Sequence, residues 1–306
     1  MSLPDSITIV EVGPRDGFQP IGPLIPTAQK IAFLHDLHAA GLRRVEATAF
    51  VSDAAVPQLA DAVEVMAAAQ ALPGMNAQVL VPNQRHAERA LAAGARHLSF
   101  VVSVSEKHNR NNVRCTPLES VAEYGRIVAM LPDGVTMRLN LATAYDCPFD
   151  GPIPMEDTLA LMDALVPMLP GAEVCPCDTT GRVTPDRVAA LLIAARARFP
   201  DAASWAYHGH DTYGLGVANV LAALGAGVRV IDASTGGLGG CPFAPGATGN
   251  VATEDVVWTL ERMGIATGVD LDRLVAAGRV AAALPGALPG GRVRDALTAS
   301  LRREAA

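Results

Sequence analysis

The sequence predicts a (β/α)8 barrel, and three observations carry that expectation. Eight short β-branched runs alternate with eight Ala/Leu-rich amphipathic runs along most of the chain. Several of the helical runs close on a glycine just before the next strand, as in 39-AAGLRRVE-46, 92-AAGARHLS-99 and 223-ALGAGVRVID-232. A glycine there supplies the left-handed residue that turns the chain back. No linker or break in composition divides the chain, which disfavours a doubly wound sheet split over two domains.

In chain order the strands are expected at 7–12, 44–48, 77–81, 97–103, 135–142, 172–176, 203–208 and 229–234. Helices are expected near 27–40, 57–71, 84–93, 118–131, 155–168, 185–198, 213–224 and 254–263. From 270 onward the chain reads as one or two further helices, broken at 285-PGALPGG-291. The whole of 1–306 is read as one catalytic domain, a barrel over about 5–265 with a C-terminal helical extension over about 266–306.

Composition narrows the function. The chain has 306 residues, 50% hydrophobic and 18% charged, enough for a large core. Net charge is −7 with no Lys/Arg-rich run, so nucleic acid and anionic membrane are poor partners. No apolar stretch is long enough to span a bilayer, and 1-MSLPDSITIVEVG-13 lacks signal-peptide character. A cytoplasmic protein is expected. Five cysteines, an odd number, argue against a disulfide framework.

A barrel enzyme works at the C-terminal ends of its strands. There the sequence places Glu11, Gly13, Arg15, Asp16 and Gln19 after strand 1, and Glu46 on strand 2. Ser105, Glu106, Lys107 and 109–112 follow strand 4, and Asn140, Thr143 and Tyr145 belong to strand 5. Asp178 follows strand 6, His208 and His210 end strand 7, and 236-GGLGGCPFAPGATGN-250 follows strand 8.

Residues i and i+2 of a strand share a face, so His208 and His210 aim together into the mouth. Alone, the pair reads equally as two hydrogen-bonded core histidines. Asp16 and Asn250 tip the balance. Two nitrogens, one carboxylate and one amide oxygen suit a divalent ion such as Mg2+ or Mn2+. 175-CPC-177 lacks the spacer of common zinc motifs and reads as strand packing. Arg15 is either a solvated turn arginine or a guanidinium that stabilises an enolate oxygen. Cys241 is either a small packed residue or a proton donor on a hinged glycine loop.

At these residues the chain resembles the 3-hydroxy-3-methylglutaryl-CoA lyase family. The resemblance rests on 9-IVEVGPRDGFQ-19, 45-VEATAFVS-52, 206-AYHGHDTYG-214 and 235-TGGLGGCPFAPGATGNVATEDVV-257, and it runs from about 7 to 283. It implies a metal-dependent barrel that splits a 3-hydroxyacyl-CoA by a retro-Claisen reaction. It implies that Asp16, His208, His210 and Asn250 bind the metal, that Arg15 stabilises the acetyl-CoA enolate and that Cys241 protonates it. Glu46 and Glu11 would line the site, and Asp16 or His208 would take the hydroxyl proton. The same resemblance implies an acyl-CoA pocket touched by Gln19, Phe18, Ala49, Cys175 and Asp178, and a homodimer.

Departures from the family pattern fall on that pocket. Where the family reads GLQNE this chain has 17-GFQPI-21. Ala49 and Cys175 stand where the family carries serines, and 110-RNN-112 replaces a Lys-Asn that would face CoA phosphates. These changes motivate a second reading, the same chemistry on another branched 3-hydroxyacyl-CoA or a citramalyl-type ester. A Schiff-base aldolase is disfavoured because the only lysines are Lys30, in a helix, and Lys107, on a loop. A synthase is disfavoured because no regulatory domain follows the barrel, and a biotin-linked carboxyltransferase because strand 6 has no lysine. A catalytically silent acyl-CoA-binding barrel would not need this polar set.

Overall fold

The computed structural model describes residues 3–240 and 249–304. Eight parallel strands close into a barrel: β1 (Thr8–Glu11), β2 (Arg44–Ala49), β3 (Asn76–Val81), β4 (His97–Ser103), β5 (Thr136–Ala142), β6 (Glu173–Asp178), β7 (Ser204–Gly209) and β8 (Val230–Ala233). Each strand pairs with the next, and β1 shuts the ring. It runs beside β8 from Thr8↔Val230 to Glu11↔Ala233 and meets β2 at Glu11↔Val45.

Helices α1 (Thr27–Ala39), α2 (Ala62–Gln70), α3 (Gln84–Ala92), α4 (Glu106–Val113), α5 (Pro117–Ala129), α6 (Met155–Leu165), α7 (Pro185–Arg198), α8 (Gly216–Gly225) and α9 (Thr253–Arg262) surround it. The extension is α10 (Leu271–Ala282), packed on α1, and α11 (Val293–Glu304), with the expected Pro/Gly break between them. Parallel strands demand crossovers of this kind, and the glycines at the helix ends supply them: Gly41, Gly94 and Gly227 all have φ between 94° and 96°.

The strand alternation sorts residues onto two sides. The outward faces carry Ile9, Val79, Val81, Leu98, Phe100, Leu139 and Leu141 into the main apolar core beneath the helices. The inward faces are polar to an unusual degree. Arg44, Glu46, Gln78, Ser99, Arg138, Asn140, Glu173 and Asp232 meet inside a barrel of a type normally filled with branched aliphatics. Val10, Val12, Cys175, Cys177, Ala206 and Val230 supply the apolar remainder.

Three local features depart from the expected pattern. The run at 57–71 is a 3-10 turn, Pro57–Leu59, followed by α2. The segment after β4, expected as loop, is the helix α4, started by Ser105 accepting from His108 N at 3.1 Å. Its eight residues are almost all polar, so no apolar stripe announces it. A two-residue antiparallel ribbon pairs Asp146–Cys147 with Gly151–Pro152.

Candidate active site

The turn after β1 is a tight helical turn, Gly13–Gly17, in which Val12 O accepts the amides of Arg15, Asp16 and Gly17. It sets the Asp16 carboxylate over the barrel mouth. Across the ring, His208 and His210 project from the end of β7 with ring centroids 5.3 Å apart. One ligand atom each from Asp16, His208 and His210 lies within 4.8 Å of the other two, the set expected for a metal. Asn250 joins them because its backbone bridges His210 in an antiparallel contact, and Val251 N bonds Gly209 O at 3.0 Å. Asn250 Nδ2 donates to Asp16 Oδ2 at 2.8 Å and to Leu238 O at 3.0 Å.

Two buried atoms at this point, Asn250 Oδ1 and His210 Nδ1, find no hydrogen-bond partner among the described residues. A buried unpaired acceptor costs about 1–3 kcal/mol. A cation within reach of both would satisfy them. The residues present therefore fit a divalent ion of the oxygen- and imidazole-binding kind.

Electrostatics supports the same grouping. Burial alone would raise the Asp16 carboxyl, but Arg15, His208, His210 and the Asn250 amide outweigh it and hold it at about 2. Burial lowers His210 to about 4, with a further push from His208. Burial would also lower His208, yet the hydrogen bond and charge of Asp232 and the charge of Asp16 leave it above the ordinary imidazole value. Arg15 bonds Glu46 and Asp16 together, and these two charges override burial to keep the guanidinium firmly protonated. Arg15 is therefore a bound member of the mouth and not a solvated turn residue.

The remaining expectations divide. Glu46 faces inward, held between Arg15 and Gln78. Ala49 also reaches the inner side. Counting by twos from Glu46 would turn it outward, but an irregularity between Glu46 and Thr48 shifts the phase. Ala49 then shares an apolar cluster with Leu80, Leu59, Val51, Val56 and Val101. Cys175 lies inside the barrel with its sulfur 2.8 Å from Arg138 Nη2. Asp178 is fully buried; Gly181 N donates to its Oδ1, and burial pushes its carboxyl up to about 7. Gln19 is exposed at the rim. Cys241 lies outside the described residues.

Two expectations need correction. Glu11 does not line the mouth. Val10 and Val12 take the inward positions of β1, so Glu11 points to the helix layer, 0% exposed. There its two oxygens accept Gly13 N, Thr235 N and the hydroxyls of Thr235 and Thr253. Glu11 thus ties the Arg15–Asp16 turn to both stems of the segment running to Asn250. Phe18 is also turned away, 1% exposed and packed on Phe33 of α1 with ring centroids 5.1 Å apart.

The sequence reading missed what lies beneath. His208 Nδ1 meets Asp232 Oδ2 at 3.1 Å, and Arg138 Nη2 holds both Asp232 oxygens at 2.9 Å. Arg138 also faces Glu173 at 3.6 Å, and Arg44 bonds Glu173 at the barrel floor. A charged residue in mid-strand, as in 135-VTMRLNLA-142 and 229-RVIDAS-234, was the available signal.

Comparison with known proteins places this geometry. Residues 6–281 match the HMGL-like family model. The chain is 43% identical over 279 residues, 90% of its length, to the mitochondrial hydroxymethylglutaryl-CoA lyase of Arabidopsis thaliana, and spans 59% of that longer protein. Its fold superposes on the HMG-CoA lyase of Bacillus subtilis with a TM-score of 0.91 and 38% identity, covering 97% of this chain and all of that one. An HMG-CoA lyase from Acinetobacter baumannii, solved with coenzyme A and 3-methylmalate, superposes at 0.89 with 36% identity, covering 97% and 96%. With the family match spanning nearly the whole barrel, the chain belongs to the HMGL-like family of carbon–carbon lyases.

Proposed function

We propose that this protein cleaves 3-hydroxy-3-methylglutaryl-CoA to acetyl-CoA and acetoacetate with the help of Mg2+ or Mn2+, as a cytoplasmic homodimer. The observation that carries the reading is the union at one barrel mouth of the Asp16–His208–His210–Asn250 donor set with the Arg15–Glu46 pair. The sequence similarity to HMG-CoA lyases supports it.

The reaction removes a proton from the tertiary hydroxyl, breaks the C2–C3 bond and leaves its electron pair as the acetyl-CoA enolate. Protonation of that carbon completes acetyl-CoA, and the former hydroxyl carbon becomes the ketone of acetoacetate. A divalent cation among the four donors would polarise the hydroxyl and lower its pKa. Arg15 supplies the second requirement. Its guanidinium, fixed from one side by Glu46, balances the charge that develops on the enolate oxygen, a contact that strengthens as the bond breaks. Cys241 is assigned the final protonation by the resemblance. The apolar cluster of Ala49, Leu80 and Val101 excludes water from the reacting end. Lysine chemistry has no place here: Lys30 is buried in an ion pair with Asp61, and Lys107 is on the exposed side of α4 beside Asp150.

A second reading, a different branched 3-hydroxyacyl-CoA, rests on Ala49 and Cys175 alone, since Phe18 faces away from the mouth. The test is acetyl-CoA release from 3-hydroxy-3-methylglutaryl-CoA with Mg2+ or Mn2+, with and without EDTA, beside a panel of less polar 3-hydroxyacyl-CoA esters. Fast, chelator-sensitive release from the first substrate supports the main reading. Release from a panel member alone transfers the activity to the second.

A further inference from the structure

We infer that Asp232 and Arg138 are positioning residues that lock His208 into a single tautomer, with its proton on Nδ1 and its Nε2 lone pair facing Asp16. That assignment makes His208 a fixed ligand and removes it as the base for the substrate hydroxyl.

Asp232 is 5% exposed and Arg138 is 0% exposed, so neither exchanges its partner for water. Arg138 Nη2 donates to both carboxylate oxygens of Asp232 at 2.9 Å, and its Nε is held by Asn140 Oδ1, also at 2.9 Å. Asn140 is fixed in turn by its own donation to Ser99 at 2.7 Å. Asp232 is thereby oriented before any ligand arrives, and Oδ2 is presented to His208 Nδ1 at 3.1 Å. A buried carboxylate oxygen in that place accepts; it has nothing to donate. The imidazole must put its proton on Nδ1. In the neutral ring, the form that binds a metal, the lone pair is then on Nε2, the nitrogen left free by Asp232 to join the Asp16–His210 group. A carboxylate behind a histidine commonly sets ligand geometry in this way. Here the carboxylate is itself clamped by an arginine that crosses the barrel interior.

The clamp also predicts the outcome of Asp232→Asn. Arg138 offers only donors, so it takes the amide oxygen of the new residue. The amide NH2 is left to face His208 Nδ1, and the ring proton moves to Nε2. An Asp→Asn change behind a working histidine acts through the same tautomer reversal.

Two measurements test this, and they separate it from the proposed function on which its metal arm rests. The first uses metal-free protein: 15N chemical shifts of the His208 ring at pH 8, in wild type and in Asp232→Asn. Protonated Nδ1 in the wild type and protonated Nε2 in the variant are expected. A wild-type ring protonated on Nε2, or a ring unchanged by the substitution, overturns the inference whatever the protein catalyses. The second is Mn2+ titration followed by electron paramagnetic resonance. Asp232→Asn is expected to weaken binding roughly 10–100-fold in the protein that stays folded. Arg138→Lys, which keeps the charge but loses the fork, should fall between the two. Mn2+ bound with equal, measurable affinity by all three proteins overturns the inference. Should Asp232→Asn fail to fold, the wild-type ring shifts and Arg138→Lys decide the matter. A wild type that binds no Mn2+ but shows the Nδ1–H ring refutes the metal reading and leaves the positioning role supported.

Discussion

Arg15, in the turn after β1, and Glu46, within the neighbouring strand β2, lie 31 residues apart and are joined side chain to side chain at the barrel mouth. The pair leaves Arg15 with no freedom to follow solvent. Replacing Arg15 by Met removes the group set against the enolate charge while sparing the four donors beside it. Turnover should fall by several orders of magnitude. Mn2+ affinity should stay within a few-fold of wild type. Steady-state kinetics combined with metal titration checks both halves, and near-normal turnover would remove Arg15 from the chemistry.

Asp16→Asn and His210→Ala address the donor set directly. The first replaces the carboxylate of the group gathered within 4.8 Å by a neutral amide, and the second removes one of its imidazoles. Metal binding and activity should be lost together, without loss of the barrel's circular dichroism. Tight Mn2+ binding by both variants would undo the ligand assignment.

Phe18→Ala separates packing from substrate contact. Phe18 lies 1% exposed against Phe33, so the truncation should cost about 3–5 kcal/mol in urea unfolding. The KM for the acyl-CoA should change little in whatever fraction stays folded. A large KM change with little loss of stability would return Phe18 to the substrate pocket.

Glu254 gives stability a pH dependence. It is buried at the start of α9, where both its oxygens accept Gly236 N. Burial, reinforced by the nearby charge of Glu11, pushes its carboxyl up to about 7. The folded state therefore binds this proton more tightly than the unfolded chain does. Its contribution is complete below the ordinary value of 4.5 and is lost as pH rises through about 7. Between pH 5 and pH 8 the wild type should lose on the order of 3 kcal/mol through this group. Glu254→Gln should flatten that slope. Urea midpoints of both proteins across the range decide it, and parallel curves would show that Glu254 carries no such load.

Much of this was legible in the chain. The histidines of 206-AYHGHDTYG-214 could be placed on one face because a strand repeats every two residues. The eight strand segments were legible because parallel strands buried on both sides keep a β-branched signature. The misses have physical reasons. Glu11 was misplaced because polarity at a strand end was taken for a mouth position, when the alternation with Val10 and Val12 sends it outward. α4 was invisible because a capped, polar helix carries no apolar period. Arg138 and Asp232 were overlooked because a buried ion pair depends on partners that are 94 residues apart in sequence.

The closure of the barrel bears on the order in which the protein can be made. β1 finds one edge only when β8 exists, and Asp16 meets Asn250 across 234 residues. Glu11 waits still longer, for Thr253, 242 positions away. A nascent chain emerging from the ribosome can thus pair Arg15 with Glu46 early, but Asp16 and Glu11 lack their distant partners for most of synthesis. Loop closure over such distances is slow to nucleate. The donor set is complete only once Asn250, near the end of the barrel, has been added.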